Sequence, residues 1–337
     1  MRVNGGPGIP NTPQHHTATG FRNNYPSGWH RGSFWRWQQD RWKQGIPRPP
    51  KGGWQFPSLR PDLDWLSANR DIPSVTWIGH ATFLLQLGGL NILTDPHLSA
   101  RASPLNFAGP RRWMPPALAF HELPHIDLVV LSHNHYDHLD LASVRQLNRQ
   151  PQGAPKFLVP LGVKGWFVRV GISNVLELDW WEVRGFGGSS ATFSPAQHWS
   201  ARTTWDRNQT LWGGWRLGHP SFSFHFVGDT GYSQDFKDIA DRLGPVDLAA
   251  VPIGAYDPRW FMQASHMNPE EAVQVHLDLQ ARRSVAMHWG TFVLTDEPLD
   301  QPPLRLRQAL HAHSLTEEDF WIFKHGETRR LWREYRG

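Results

Sequence analysis

From Val75 onward, short apolar runs alternate with polar stretches. "VTWIGHATFLLQLGGLNILTD" predicts strands bent at Gly79 and turning at Gly88 and Gly89, with β-branched and aromatic residues throughout. "IDLVVL" is continuously apolar, the pattern of a strand buried on both faces. A helical pattern over 141–150, the strand "KFLVP", a helical stretch over 163–170 and the strand "NVLEL" follow. A second half repeats the style with "ATFSPAQHW", "LWGGWRL", "SFSFHFVGD", a helix over 234–242 and the strand "DLAAVPI". Then "NPEEAVQVHLDLQ" starts with Asn268 as cap, Pro269 in the first helical position and Glu271 in the third, a strong helix start. "SVAMH" and "FWIFKHG" complete the strands. Short buried strands alternating with helices predict layered α/β (α+β) structure, its sheets flanked by helices.

Composition narrows the chemistry. The 337 residues contain 39% hydrophobic residues, a low share, but 19 Trp and 18 Phe supply large buriable side chains. There is no cysteine, so any metal must be held by His and carboxylates. The opening "MRVNGGPGIPNTP" has no apolar leader core, and no later run is long enough to span a bilayer. The expectation is a cytoplasmic protein that is neither secreted nor integral to a membrane.

Charge is uneven. Residues 1–60 carry nine Lys or Arg and one acid, Asp40, a local net of +8, while the other 277 residues carry 25 basic and 29 acidic side chains. In this segment Trp29, Phe34, Trp35, Trp37, Trp42 and Trp54 are interleaved with Arg31, Arg36, Arg41, Lys43, Arg48 and Lys51. Ser33 is positioned to cap a short helix ending near Gly45. The stretch can be an arm packed on the main domain, a surface for anionic lipid headgroups, or a nucleic-acid contact. The expected division is a Trp/Arg-rich arm over 1–74 and the main domain over 75–337.

The densest chemistry is "SHNHYDHLD", directly after "IDLVVL". Its spacing is too tight for one helix face and too ionisable for a strand, so it belongs on a loop. There His133 and His135 can face one point while Asp137 and His138 face another. Such a loop is short of ligands for two cations. His198, Asp229 and His288 each follow an apolar run and can supply the remainder from other strand ends. With Asp229 bridging, His133, His135 and His198 would hold one metal, and Asp137, His138 and His288 the other. A single His at a strand end is usually a hydrogen-bonded surface residue. The cluster has no comparable bland explanation.

These motifs resemble the metallo-β-lactamase fold, an αββα sandwich of two mixed sheets flanked by helices with a dinuclear site at one edge. "WIGHATFLL", "LTDPHLSARASP", "LSHNHYDHLD", "VPLGVKGW", "VLELDWWE", "SPAQHWSART", "GDTGYSQDF", "LGPVDLAAVPIGAYDPRWFM", "HMNPEEAV" and "RSVAMHWGTF" resemble, more narrowly, the N-acylphosphatidylethanolamine-hydrolysing phospholipase D family. The resemblance runs from about Val75 to Glu327, and several of its motifs are not demanded by metal binding. It implies the same seven metal ligands, two zinc ions, Tyr136 and His266 at the substrate, and His80 and Asp95 as groups that orient ligand imidazoles. It also implies hydrolysis of N-acylphosphatidylethanolamine to N-acylethanolamine and phosphatidic acid by a metal-bridging hydroxide attacking phosphorus. Asp137 or Asp229 would then handle the nucleophile's proton and His266 assist the phosphate or leaving group, roles that the sequence leaves unassigned. A phospholipid substrate, contact with an anionic membrane surface and a homodimer are implied as partners. Nucleic acid is disfavoured for lack of a recognisable binding module. Other readings are a sugar-phosphate lactonase, a nucleic-acid phosphodiesterase, or a membrane-binding protein with a structural metal. A di-iron redox role is disfavoured, since such relatives resemble a motif with Glu at position 135.

Overall fold

The computed structural model describes residues 13–26, 28, 32–105 and 107–331. Residues 1–12, Trp29 and Arg31 of the basic segment lie outside the described residues. The first elements among the described residues are a small hairpin, β1 (His16–Thr17) and β2 (Gly20–Phe21), then α1 (Ser33–Gln44) and α2 (Leu63–Ala68). The first half continues as β3 (Ser74–Gly79), β4 (Thr82–Leu87), β5 (Leu90–Thr94), β6 (Leu128–Val130), α3 (Leu141–Leu147), β7 (Lys156–Pro160), α4 (Lys164–Arg169) and β8 (Val175–Leu178). The second half runs β9 (Val183–Phe186), β10 (Ser189–Ser194), β11 (Gly214–His219), β12 (Phe222–Phe226), α5 (Asp235–Leu243), β13 (Val246–Pro252), α6 (Arg259–Met262), α7 (Pro269–Asp278), β14 (Ala281–Met287), α8 (Gln301–Ala312), β15 (Phe320–Trp321) and β16 (Thr328–Arg330).

Two seven-stranded mixed sheets result. One has the order β16-β3-β4-β5-β6-β7-β8 and the other β15-β14-β13-β12-β11-β10-β9. In both, an antiparallel meander passes into parallel strands, from β5 to β8 in the first and from β12 to β15 in the second. The loose two-half rhythm of the sequence is therefore architectural. Strand β16 returns from the end of the chain to cover the edge of the first sheet.

The side-chain period of two sorts the core. Leu128 and Val130 of β6, with Trp77, Phe83 and Leu85, enter the cluster that also contains Phe193, Trp215, Phe224 and Val285 of the second sheet. Val129 and Leu131 point the other way and pack with Leu66, Leu147, Phe157 and Phe167. A side chain of this size contributes about 1.5–3 kcal/mol when fully buried. The uninterrupted apolar run is thus explained by burial on both faces. At Gly79 the β3–β4 register shifts, as the bend there predicts.

Two local expectations change. Helix α1 is entered through Gly32 in a left-handed conformation with no side-chain cap, so Ser33 is its first residue and not its cap. "FWIFKHG" is strand only at Phe320–Trp321. Helix α8 carries Pro302 and Pro303 in its first turn, a tolerated position that masks it in a reading by breakers. Helix α7 has the expected capping box, with Asn268 accepting from the Glu271 N–H and Glu271 accepting from the Asn268 N–H.

The segment before Ser74 is attached to the sandwich at several points. His15 and His16 reach Asp179, Trp37 donates to Asp296, and the Leu59 N–H donates to the His325 carbonyl. Helix α2 is tied to the first sheet by buried Gln86, whose Nε2 donates to the Leu66 carbonyl and Asn91 Oδ1 while its Oε1 accepts from Asn69 and Ser74. Gln86→Leu removes these bonds from a buried polar network in which Asn69 alone keeps a further acceptor, the Ile72 carbonyl. It should lower unfolding free energy by about 2–4 kcal/mol in a denaturant titration.

Candidate metal centre

The chemistry-bearing residues gather where strands end. His133, His135, Asp137 and His138 occupy the loop between β6 and α3, with Asp140 capping that helix through the Ala142 and Ser143 N–H groups. His198 follows β10, Asp229 follows β12, and His288 follows β14 directly. Close backbone contact requires glycine beside two of them. A Cβ on Gly254 would lie 2.1 Å from the His288 carbonyl oxygen, and one on Gly228 would lie 2.7 Å from that of Gly213. His80, Asp95 and His288 have positive φ without being glycine, a local strain of the kind that concentrates at functional sites.

The donor atoms form two groups. His133 Nε2 lies 2.8 Å from His135 Nδ1, and His198 Nε2 lies 3.3 Å from the same atom. In the second group His138 Nε2 and His288 Nε2 are each 3.1 Å from Asp229 Oδ2 and 3.3 Å from Asp137 Oδ2. His133, His135 and His198 each offer a donor atom within 4.8 Å of the others, as do His80, Asp137, His138 and His288, and Asp229 forms a further such set with His198 and His266. His133 and His135 thus fall in one cluster of donor atoms, and Asp137 and His138 in another.

Surrounding groups fix ring orientation. Asp95 is fully buried, accepts from the Ser132 N–H and hydroxyl, and lies 2.6 Å from His138 Nδ1. The expectation for Asp95 and His80 is contact with ligand imidazoles, and Asp95 makes such a contact with His138. His80 differs from that expectation, because its Nε2 meets the Asp137 carboxylate at 3.0 Å and so orients a carboxylate. His198 Nδ1 lies 2.8 Å from the Ser265 carbonyl, leaving Nε2 to face the centre.

Burial and mutual repulsion push His133 and His198 well below the ordinary imidazole range, and burial takes His135 down to about 3. These rings are neutral at pH 7, with lone pairs available to a cation. Burial opposes charge on His138 and His288 too, but Asp229 and Asp137 hold the first well above its usual value and raise the second to about 9. Burial alone would raise the Asp137 and Asp229 carboxyls, yet His138 holds both well below the carboxylate range. Among the described residues, Asp229 Oδ1 and His135 Nε2 are buried without a hydrogen-bond partner. A carboxylate with one oxygen committed and the other orphaned between two imidazole groups fits a bridging ligand, and the all-N/O donor set suits zinc or a similar divalent ion.

A cleft of about 300 Å³ opens on this centre, lined by His135, Asp137, Asp229 and His266 at its base. Phe34, Trp37, Phe261, Met262 and Leu294 make its walls largely apolar. His266 is where the sequence placed it, with Nδ1 4.0 Å from Asp229 Oδ2 and burial taking its pKa down to about 4. Tyr136 is not among the residues lining this cleft. Its hydroxyl donates to the Arg202 carbonyl and its ring lies 4.0 Å beneath the Arg202 guanidinium. Trp37, Trp199, Arg207 and Phe261 were not singled out as site residues, because nothing in their spacing ties them to the loop. Asp95→Ala should weaken retention of a bound divalent metal about 10–100-fold in chelator competition, through loss of the contact that faces His138.

The comparisons agree with this geometry. The profile described as "Beta-lactamase superfamily domain" matches residues 90–289. The chain is 43% identical over 265 residues to N-acyl-phosphatidylethanolamine-hydrolyzing phospholipase D 1 of Caenorhabditis elegans, covering 75% of this chain and 74% of that protein. It is 38% identical over 239 residues to the mitochondrial N-acyl-phosphatidylethanolamine-hydrolyzing phospholipase D of Saccharomyces cerevisiae, covering 68% of this chain and 50% of that one. A solved metallo hydrolase from the archaeon Ignicoccus hospitalis shares the fold with a TM-score of 0.57 and 20% identity, over 77% of this chain and 98% of that structure. The chain belongs to the metallo-β-lactamase superfamily, as a metal-dependent hydrolase fold that resembles the N-acylphosphatidylethanolamine-hydrolysing phospholipases D.

Proposed function

We propose that this protein is a zinc-dependent phosphodiesterase of the phospholipase D type, cleaving N-acylphosphatidylethanolamine to N-acylethanolamine and phosphatidic acid. The observation that carries the reading is the pair of donor groups meeting at Asp229 at the base of an apolar cleft. His133, His135 and His198 would hold one zinc, Asp137, His138 and His288 the other, and Asp229 both. When bound, two such ions lower the pKa of water toward about 7 and offset phosphoryl charge. Asp137 and Asp229 orient the attacking water and take its proton. His266, neutral at pH 7, meets the phosphate or the departing ethanolamine oxygen. The apolar walls take an acyl chain and exclude water from it, with Tyr136 acting beside them through the Arg202 loop.

The stretch 1–74 serves in this reading as an arm for an anionic membrane surface. Helix α1 stacks Trp37 on Phe261 and pairs Arg41 with Asp296, while Trp35 and Trp42 are 75% and 83% exposed. Indole beside Arg and Lys suits a headgroup boundary. No helix among the described residues is long and apolar enough to cross a membrane, so contact would be peripheral. Association as a homodimer belongs to the same reading.

Purified protein should release N-acylethanolamine from N-acylphosphatidylethanolamine micelles and carry two zinc ions per chain by elemental analysis. His135→Ala and Asp229→Ala should each lose zinc and lower turnover by about 100-fold or more. Two zinc ions without release would move the substrate to a soluble phosphodiester or lactone, and wild-type turnover in both variants would end the dinuclear reading. Replacing Trp35 and Trp42 by Glu should weaken binding to phosphatidylserine vesicles about 10-fold or more in a sedimentation assay. Unchanged sedimentation would remove the arm from the membrane.

A further inference from the structure

We infer that the N-terminal hairpin completes the metal centre and that Asn23 is a positioning residue for His198. The inference rests on reading His198 as a donor to that centre. His198 follows β10 and comes directly after Gln197, whose isolated bridge to Gly231 ends there, so the His198 N–H takes no part in strand pairing. Its ring is anchored through Nδ1 to the Ser265 carbonyl. Its backbone is anchored by Asn23, whose Oδ1 accepts from the His198 N–H at 3.1 Å across 175 positions of sequence.

The same oxygen accepts from the Trp212 indole at 3.0 Å, but that indole has a second acceptor in the Ala196 carbonyl at 2.9 Å. Loss of the Asn23 carbonyl therefore leaves Trp212 bonded and takes the acceptor from His198. The consequence falls on the imidazole donor.

Asn23 is itself held from both sides. Upstream, the Nε2 atoms of His15 and His16 each meet one oxygen of Asp179, at 2.6 and 2.7 Å. The Phe21 N–H donates to the Asn208 carbonyl at 2.8 Å, and Gly20 lies so close to that residue that a Cβ would stand 2.0 Å from its oxygen. Downstream, Asn24 donates to Asp235 at 2.8 Å and Tyr25 to Asp238 at 2.6 Å. Phe21 packs against the main core and His15 is buried, so the hairpin is seated in the fold. From that footing it brings the Asn23 acceptor to His198 and fastens it on each side, which is how supporting groups set the geometry of a metal ligand.

The test uses full-length protein and two substitutions of similar size. Asn23→Leu removes the acceptor, and Asn23→Asp keeps an oxygen there. In metal-free protein, Asn23→Leu should speed amide hydrogen exchange at His198 about 10-fold, and in the zinc-loaded protein it should speed release of one ion to a chelator by a similar factor. Asn23→Asp should stay within about twofold of wild type in both. Wild-type exchange at His198 in Asn23→Leu would overturn the inference, as would equal acceleration in both variants, which would assign the effect to packing. Should Asn23→Leu not fold, the double substitution His15→Gln with His16→Gln loosens the hairpin away from Asn23 and must also speed His198 exchange; no change there overturns the hairpin's role. Freed His198 exchange in a protein that takes up no zinc would leave the positioning role standing and reject the dinuclear reading.

Discussion

Two carboxylates held among buried imidazoles are the constraint on which the rest of the molecule turns. Asp137 and Asp229 lie between His138 and His288 in a region that water scarcely reaches, and a charge there is tolerable only when it is paired. The neighbouring group of His133, His135 and His198 has no carboxylate of its own and stays neutral by burial. A cation entering between the groups would find lone pairs on one side and negative charge on the other. The sandwich holds these seven side chains at fixed separation, and its strand ends are rigid enough to resist their mutual repulsion.

That rigidity has identifiable sources. Parallel strands β5 to β8 and β12 to β15 end on the same edge as the loops that carry the donors, so the sheets serve as the frame of the site. Asp95 reaches back from the end of β5 to fix Ser132 and His138 together. Gly254 permits the His288 backbone to approach at a distance no side chain would allow. The N-terminal chain then closes one side of the cleft with Phe34 and Trp37 and reaches His198 with Asn23. A stretch that in the sequence is simply basic and aromatic is thus divided in the fold between a hairpin that supports the centre and a helix beside its entrance.

Much of this is legible in the sequence. The apolar runs and the capping box marked β3 to β8 and α7, because burial on one or two faces and cap chemistry are local in sequence. The absence of cysteine and the HxHxDH loop pointed to candidate metal donors of imidazole and carboxylate type, and strand-end placement put His198, Asp229 and His288 forward beside them. What only the tertiary structure decided are relations between distant positions. That His80 meets a carboxylate, that Tyr136 turns to Arg202, that Trp37 stacks on Phe261 and that Asn23 bonds His198 all depend on how chain ends far apart are packed. A single Asn or Tyr in a loop carries no periodicity and no spacing of its own. Its role exists only where folding brings a partner within hydrogen-bonding distance.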